Sequence, residues 1–289
     1  YATPMSLHAD RHDFGAKTLL GGFVIPARAA TLENAQRDVR DAIHHLFEHP
    51  NTGVFVGKQL IQFLVTDNPS PAYVQRISGV FANNGSGVRG DLGAVVRAIL
   101  LDPEARGPVG AQAEGFGRLK EPVIRTMAMA RVFGMRQVPD LLWWDWSDFY
   151  NESRQAPTNS PSVFNFYRPE YRAPGIATQN GLASPVFQIT DSYSSISFPN
   201  RLWSMLEEGF NQWGAYRFPL DFGREIDFAS SPERLMDHLN LLFCAGQMRA
   251  STRSFILNTL NQIPADQTAA RIRVAAYLSL TCPEGAVMR

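Results

Sequence analysis

From Leu32 onward apolar residues recur every three or four positions, a period that predicts a succession of helices. Leu32, Val39, Ile43, Leu46 and Phe47 mark the first, with Thr31 placed to cap it and His49-Pro50 to close it. Val56, Leu60, Ile61 and Leu64 mark a second, stopped at Asn68-Pro69. Ser70-Pro71 opens a third through Tyr73, Val74, Ile77, Val80 and Phe81, and Asn83-Asn84-Gly85 ends it. Asp91–Leu101 supplies a fourth through Leu92, Val95, Val96, Ile99 and Leu100. Glu121-Pro122 opens a fifth that runs through Val123, Ile124 and Met127 to Gly134. Connections this short favour packed helical hairpins.

The pattern fails twice. Residues 1–31 carry Pro4, Gly15, Gly21, Gly22 and Pro26 with little periodicity, and read as an irregular lead-in with one short strand near Thr18–Val24. Between Gln155 and Pro185, Pro157, Pro161, Pro169, Pro174 and Pro185 break any helix, while Phe164, Phe166, Tyr167 and Tyr171 supply aromatic anchors. A loop of that length in a compact fold is functional or is held down by its own side chains, so Phe164 and Phe166 are expected inside. Helix returns at Ser194–Phe210, and three more helices open at Ser231-Pro232, Ser251 and Asp266.

The fold class is therefore mainly α, a multi-helix bundle with a long Pro- and aromatic-rich loop. The expected organisation is a lead-in over 1–31, a helical region over 32–150, a structured loop over 151–193 and a C-terminal bundle over 194–289 that forms one domain with 32–150. Five or more helices with apolar faces are hard to close on themselves. The chain is accordingly expected to be a fragment of a larger helical protein, its lead-in packing on an N-terminal half.

Composition narrows the function classes. Lys plus Arg balance Asp plus Glu, 27 against 27, so no net field draws in a polyanion, and nucleic acid is excluded as the expected partner. No apolar run reaches the roughly 18 residues a membrane helix needs. Cys244 and Cys282 lack metal-ligand spacing and lie among apolar residues, where thiols serve as small hydrophobes; a disulfide between them stays open.

Candidate chemistry is sparse. His12-Asp13, with His8 and Asp10 nearby, is the pair most suited to acid–base work, because a carboxylate beside an imidazole raises its basicity and orients it; the alternative is a loop clamp. His45 and His49 share a helix face at i, i+4, but Leu46 stands where a zincin places its glutamate, so no metal site is expected. Trp143, Trp144 and Trp146, interleaved with Asp145 and Asp148, read either as a ligand platform for sugar rings or as one buried helix face. No nucleophile elbow, phosphate loop or dinucleotide fingerprint occurs, and no motif points to a cofactor. Asn83-Asn84-Gly85-Ser86-Gly87 follows a helix rather than a strand, the wrong setting for a phosphate cradle.

Several stretches together, RHDFGAKTLLGG (11–22), HPNTGVFVGKQLIQFLV (49–65), VFANNGSGVRGDLGAVVRAILLDPEAR (80–106), LKEPVIR (119–125) and SPSVFNFYRPEY (160–171), resemble the bacterial family known as domain of unknown function 1800. The segment from Arg234 to Arg289 is similar to that family's C-terminus, except that Cys282-Pro283-Glu284-Gly285 stands where a serine-proline step and an aromatic are usual. The resemblance implies a helical fold, an N-terminal helical half ahead of this region, and frequent export. It also implies a frequent gene neighbour from another exported family, one that looks like an alkaline phosphatase relative. No catalytic residue comes with it. The expected function is an extracytoplasmic interaction or assembly protein whose partners are the N-terminal half of the same protein and the phosphatase-like neighbour. The alternative is a hydrolase or metal-dependent enzyme acting on a polymer or glycan through His12, Asp13 and the tryptophan run.

Overall fold

The computed structural model describes residues 6–107, 115–135, 147–156, 158–163, 165–212 and 216–288. They are mainly helical, with fourteen α-helices and three two-stranded antiparallel sheets among them. None of these helices is long and apolar enough to cross a membrane. The chain divides into two compact units, Tyr1–Leu60 with Pro71–Ile99, and Ile61–Ser70 with Leu100–Arg289.

In the first unit, β1 (Lys17–Thr18) and β2 (Val24–Ile25) pair as a small hairpin around a 3-10 turn at Leu20–Gly22, so the one strand expected near Thr18–Val24 is two short ones. Gly21 and Gly22, both at positive φ, make the reversal that divides them. The helices follow as α1 (Leu32–Glu48), α2 (Pro50–Leu64), α3 (Pro71–Ala82) and α4 (Leu92–Leu101). Thr31 caps α1 by accepting the Asn34 amide at 3.2 Å. Gly53 and Gly57, one turn apart on α2, let α3 approach: a Cβ on either would stand 3.0 Å from Phe81 or Ile77. The Tyr73 hydroxyl then ties α3 to α4 by donating to the Ile99 carbonyl at 2.6 Å.

α1 carries the apolar stripe its sequence predicts, but turned outward. Leu32, Val39, Ile43 and Leu46 are 49%, 41%, 62% and 53% exposed, while the residues it buries are Ala35 and Asp38. Periodicity reports that a helix has two faces and not which one the fold covers; here the covered face holds a carboxylate.

The second unit contains α5 (Pro103–Arg106), β3 (Arg118–Leu119), α6 (Pro122–Val132), α7 (Ser147–Ser153), α8 (Ile176–Gln179), α9 (Ser194–Glu208), the hairpin β4 (Phe210–Gln212) with β5 (Tyr216–Phe218), α10 (Gly223–Ala229), α11 (Pro232–Cys244), α12 (Ala250–Asn261), α13 (Thr268–Thr281), α14 (Pro283–Ala286) and β6 (Val287–Met288). Its core joins α6, α9, α11, α12 and α13 through Met129, Phe133, Leu202, Met205, Leu235, Leu239, Ile256 and Ile272. α13 packs on α9, α10, α11 and α12 at once, which accounts for its weak amphipathic pattern: with neighbours on several sides, Ala275, Ala276 and Ser279 must be small. The chain's end returns to β3, where β6 pairs antiparallel with Leu119 opposite Val287.

The loop around Tyr167 is anchored. Tyr167, Val186 and Ile189 form a small buried cluster with Phe166 half-buried against it. Asn68 bridges to Ala183 in both directions, donating to its carbonyl at 2.9 Å and accepting its amide at 2.7 Å. Phe166, expected inside, is thus only partly covered, and the buried ring is its neighbour Tyr167; Phe164 lies outside the described residues.

Candidate functional site

His12 and Asp13 part company. The exposed Asp13 closes its own turn by accepting the Gly15 amide at 2.8 Å. His12 Nε2 instead reaches Asp38 Oδ2 at 3.0 Å, with its ring edge-on to Phe14 at 4.9 Å. Lys17 Nζ donates to the same oxygen at 2.9 Å, and Arg28 Nη1 to the other at 2.6 Å, while Arg28 Nη2 reaches Asp41 at 2.5 Å. One buried carboxylate on α1 therefore gathers three basic side chains from three points of the lead-in. The hydrogen bond from His12, then that from Lys17, hold the Asp38 carboxyl at about 2, well below its ordinary value, against the opposing effect of burial.

This arrangement fastens the lead-in to α1. Because the folded value is depressed, the stability Asp38 contributes is present above its ordinary value near 3.9 and is lost as pH falls through about 2. Asp38→Asn is expected to lower the thermal midpoint by several degrees at neutral pH and to remove that acid limb. Equal midpoints for variant and wild type at pH 7 would discard the fastening role.

His45 and His49 also have partners. His45 Nε2 contacts the Leu20 carbonyl at 2.7 Å with its ring stacked on Phe23, and His49 Nδ1 accepts the Asn51 amide at 3.2 Å. In the Asn83–Gly87 turn the amides of Gly85 and Gly87 go to Asn83 Oδ1, and those of Ser86 and Val88 to Asn84 Oδ1. Those amides bind the turn's own side chains. Among the described residues no group of three or more His, Cys, Asp and Glu is placed to hold a metal ion. Trp143, Trp144 and Trp146 lie outside the described residues.

A second constellation, in the second unit, was not legible as a site from residue types. Thr66 and Asp67, just after α2, are strapped to Gly117: the Asp67 amide donates to the Gly117 carbonyl at 3.0 Å and the Gly117 amide to Thr66 Oγ1 at 2.9 Å. Gln62 Nε2 fixes the Asp67 carbonyl at 3.0 Å. The strap buries the Asp67 side chain beside Arg118 on β3. Arg118 donates to Glu121 Oε1 at 2.9 Å, to the Tyr167 hydroxyl at 3.4 Å and to the Phe63 carbonyl. Glu121, at the start of α6, takes a further hydrogen bond from Gln155 Nε2, and Gln155 Oε1 accepts the Val123 amide at 3.1 Å.

The electrostatics follow from that burial. Arg118 pairs directly with Glu121 through one hydrogen bond and acts on Asp67 only through space, which leaves Asp67 weakly compensated. Burial pushes Asp67 up to about 7, with Arg118 opposing and Glu121 reinforcing. Burial and Glu121 likewise push the Tyr167 phenol well above its ordinary value, so it stays protonated. Such a carboxyl exchanges its proton near neutrality, as a general acid or base must. Gln62, Glu121 and Tyr167 each come from a different one of the stretches that carried the family resemblance. That convergence was the available signal.

A family model described as a protein of unknown function (DUF1800) matches residues 2–286. No curated protein and no solved structure matches the chain.

Proposed function

We propose that this chain, which belongs to the DUF1800 family of proteins of unknown function, acts by binding a helical partner, as an extracytoplasmic interaction or assembly protein. The observation that carries this reading is the outward stripe of α1. Leu32, Val39, Ile43 and Leu46, spaced seven, four and three residues apart, lie on one helical face, and all four are exposed. Single exposed leucines are ordinary; four apolar residues on one helix face, interrupted only by Gln36, mark a surface meant to be covered. Next to it Ser6, Leu7, Leu32, Gln36, Val39 and Arg40 line an open groove of about 610 Å³. The occupant we assign is an apolar helix face of the N-terminal half that the family resemblance places ahead of this region. An exported neighbour protein is the further partner the resemblance suggests.

The test is reconstitution. Residues 1–289 and the N-terminal half are co-expressed as separate chains and purified through one of them. Wild type is expected to co-purify, and Ile43→Glu with Leu46→Glu to lose the partner at least tenfold. The doubly substituted chain itself should melt within a few degrees of wild type, because exposed substitutions change stability by about 0.5 kcal/mol or less. Co-purification unaffected by both charges overturns the reading. So does a wild-type chain that is monomeric, binds no apolar dye and ignores the other half.

A second reading, a hydrolase acting on a polymer or glycan, draws its support from Asp67, whose carboxyl titrates near neutrality beside Arg118, Glu121 and Tyr167. It moves the candidate chemistry from His12 and Asp13 to the second unit. Asp67→Asn in the full-length protein, folded normally but without its cellular phenotype, would promote this reading over the first.

A further inference from the structure

Cys244 and Cys282 belong to neither network. Cys244 is the last residue of α11 and is buried; Cys282 separates α13 from α14, where its sulfur accepts the Gly285 amide at 3.4 Å. Cys282 so caps α14 in the way a serine or threonine hydroxyl commonly does. The two sulfurs are 3.9 Å apart, and both contact the Ser279 carbonyl, at 3.7 and 3.3 Å. The packing of α11 on α13 and α14 holds the pair together from distant points of the chain. A sulfur–sulfur bond of about 2.05 Å then needs the two sulfurs to approach by roughly 2 Å.

We propose that Cys282 and Cys244 form a reactive dithiol, Cys282 attacking and Cys244 resolving, whose co-reactant is a low-molecular-weight disulfide. The order of attack follows from access. Cys282 is half-buried and lines an open cavity of about 410 Å³ with Ser251, Thr252, Phe255, Ile256 and Leu278, whereas Cys244 is only 3% exposed. A small disulfide entering that cavity meets Cys282 first.

Two buried cations stand near the sulfur pair. Lys120 Nζ donates to the Phe243 carbonyl at 2.8 Å, and Arg125 Nη2 to the Leu280 carbonyl at 2.5 Å with its guanidinium over the Phe198 ring. Neither cation pairs with a carboxylate among the described residues. Burial lowers both below their ordinary values, Arg125 to about 10, and the thiols are the acidic groups whose ionisation relieves both. Tyr277 also faces Arg125. Glu284 opposes a thiolate at both sulfurs and accepts a hydrogen bond from the Cys282 thiol, while Arg249 at 3.4 Å and Thr252 at 3.3 Å share its carboxylate. The hydrogen bond from Cys244 favours the anion at Cys282 and disfavours it at Cys244. The thiolate is the nucleophile in exchange.

The chemistry balances without a metal or flavin. Cys282 loses its proton, and its thiolate attacks one sulfur of RSSR, breaking that bond, forming the Cys282–SR mixed disulfide and releasing RS⁻. Cys244 then loses its proton to RS⁻ or water and attacks the Cys282 sulfur, which expels the second RS⁻. In sum, two cysteine thiols are oxidised to one disulfide while RSSR is reduced to two RSH.

The experiment uses the folded 289-residue chain and oxidised glutathione, well below the thermal midpoint, with alkylation and mass spectrometry as the readout. Wild type is expected to lose both alkylatable thiols without retaining glutathione, to melt higher than its reduced form, and to revert with dithiothreitol. Cys244→Ser, or Cys244→Ala if serine disturbs the core, should hold one glutathionyl group on Cys282; Cys282→Ser should take up none. Wild type that keeps both thiols alkylatable while folded overturns the proposal, and that readout depends on no variant. Glutathionylation of Cys244 in Cys282→Ser at the wild-type rate overturns the assigned order.

Discussion

Phe133→Ala is expected to destabilise the second unit by about 3–5 kcal/mol, the range for removing a fully buried aromatic ring. Phe133 follows α6 with no exposed surface, its ring edge-on to Phe222 at 4.8 Å and tilted against Phe243 at 5.8 Å. Its backbone is fixed as well, the amide donating to the Met129 carbonyl at 3.1 Å and the carbonyl accepting the Asp221 amide at 2.7 Å. The cavity left behind is walled by α6, the segment leading into α10, and α11, which cannot all move inward, so collapse recovers little. Phe255→Ala is the control. It removes the same ring from α12, where Phe255 is 64% exposed, and should change stability by about 0.5 kcal/mol or less. Chemical denaturation of both variants checks the contrast, and equal losses would show that the stability does not reside in the core around Phe133.

That contrast also marks how far the sequence could be read. The helices were legible because capping and breaking residues agreed with a three-to-four period: Thr31 before α1, Ser70-Pro71 before α3, Ser231-Pro232 before α11. Faces were legible where neighbours cover the apolar side, as with Tyr73, Ile77 and Phe81 on α3. They were not legible on α1, because amphipathicity is symmetric between a helix that buries its apolar face and one that presents it. Asp38 decided the matter, and its three partners, His12, Lys17 and Arg28, lie 10 to 26 residues away with no periodic relation to it. The Asp67 network was hidden for a similar reason. Asp67 sits in what reads as an ordinary helix-stopping turn, and only the strap to Gly117 some fifty residues on turns that turn inward. Loop aromatics were recognisable as anchors, yet which ring is buried depends on Val186 and Ile189, and Tyr167 occupies that place.

Asp67 gives the largest expected response to pH, opposite in sign to Asp38. Its folded value, about 7, lies above the ordinary carboxyl value near 3.9, so the native state holds a proton that the unfolded chain releases. Stability tied to this group is therefore full below about pH 4 and is lost as pH rises to about 7. A shift of roughly 3 units corresponds to about 4 kcal/mol at its full extent, at 1.36 kcal/mol per unit, and relaxation around the ionised carboxylate reduces what is observed. Asp67→Asn keeps the shape and removes the ionisation. The variant should match wild type near pH 4 and become progressively more stable than it up to about pH 7, after which the difference levels off. Urea midpoints of both proteins from pH 4 to 8 supply the comparison, and taking their difference cancels every other titrating group. A difference that stays constant over that range would mean that Asp67 is ionised throughout in the folded protein, paired with Arg118 and no more available for proton transfer than a surface carboxylate. A rising difference would leave an acid whose retention weakens the fold at neutral pH, the pattern expected where a buried carboxyl is kept for chemistry rather than for stability.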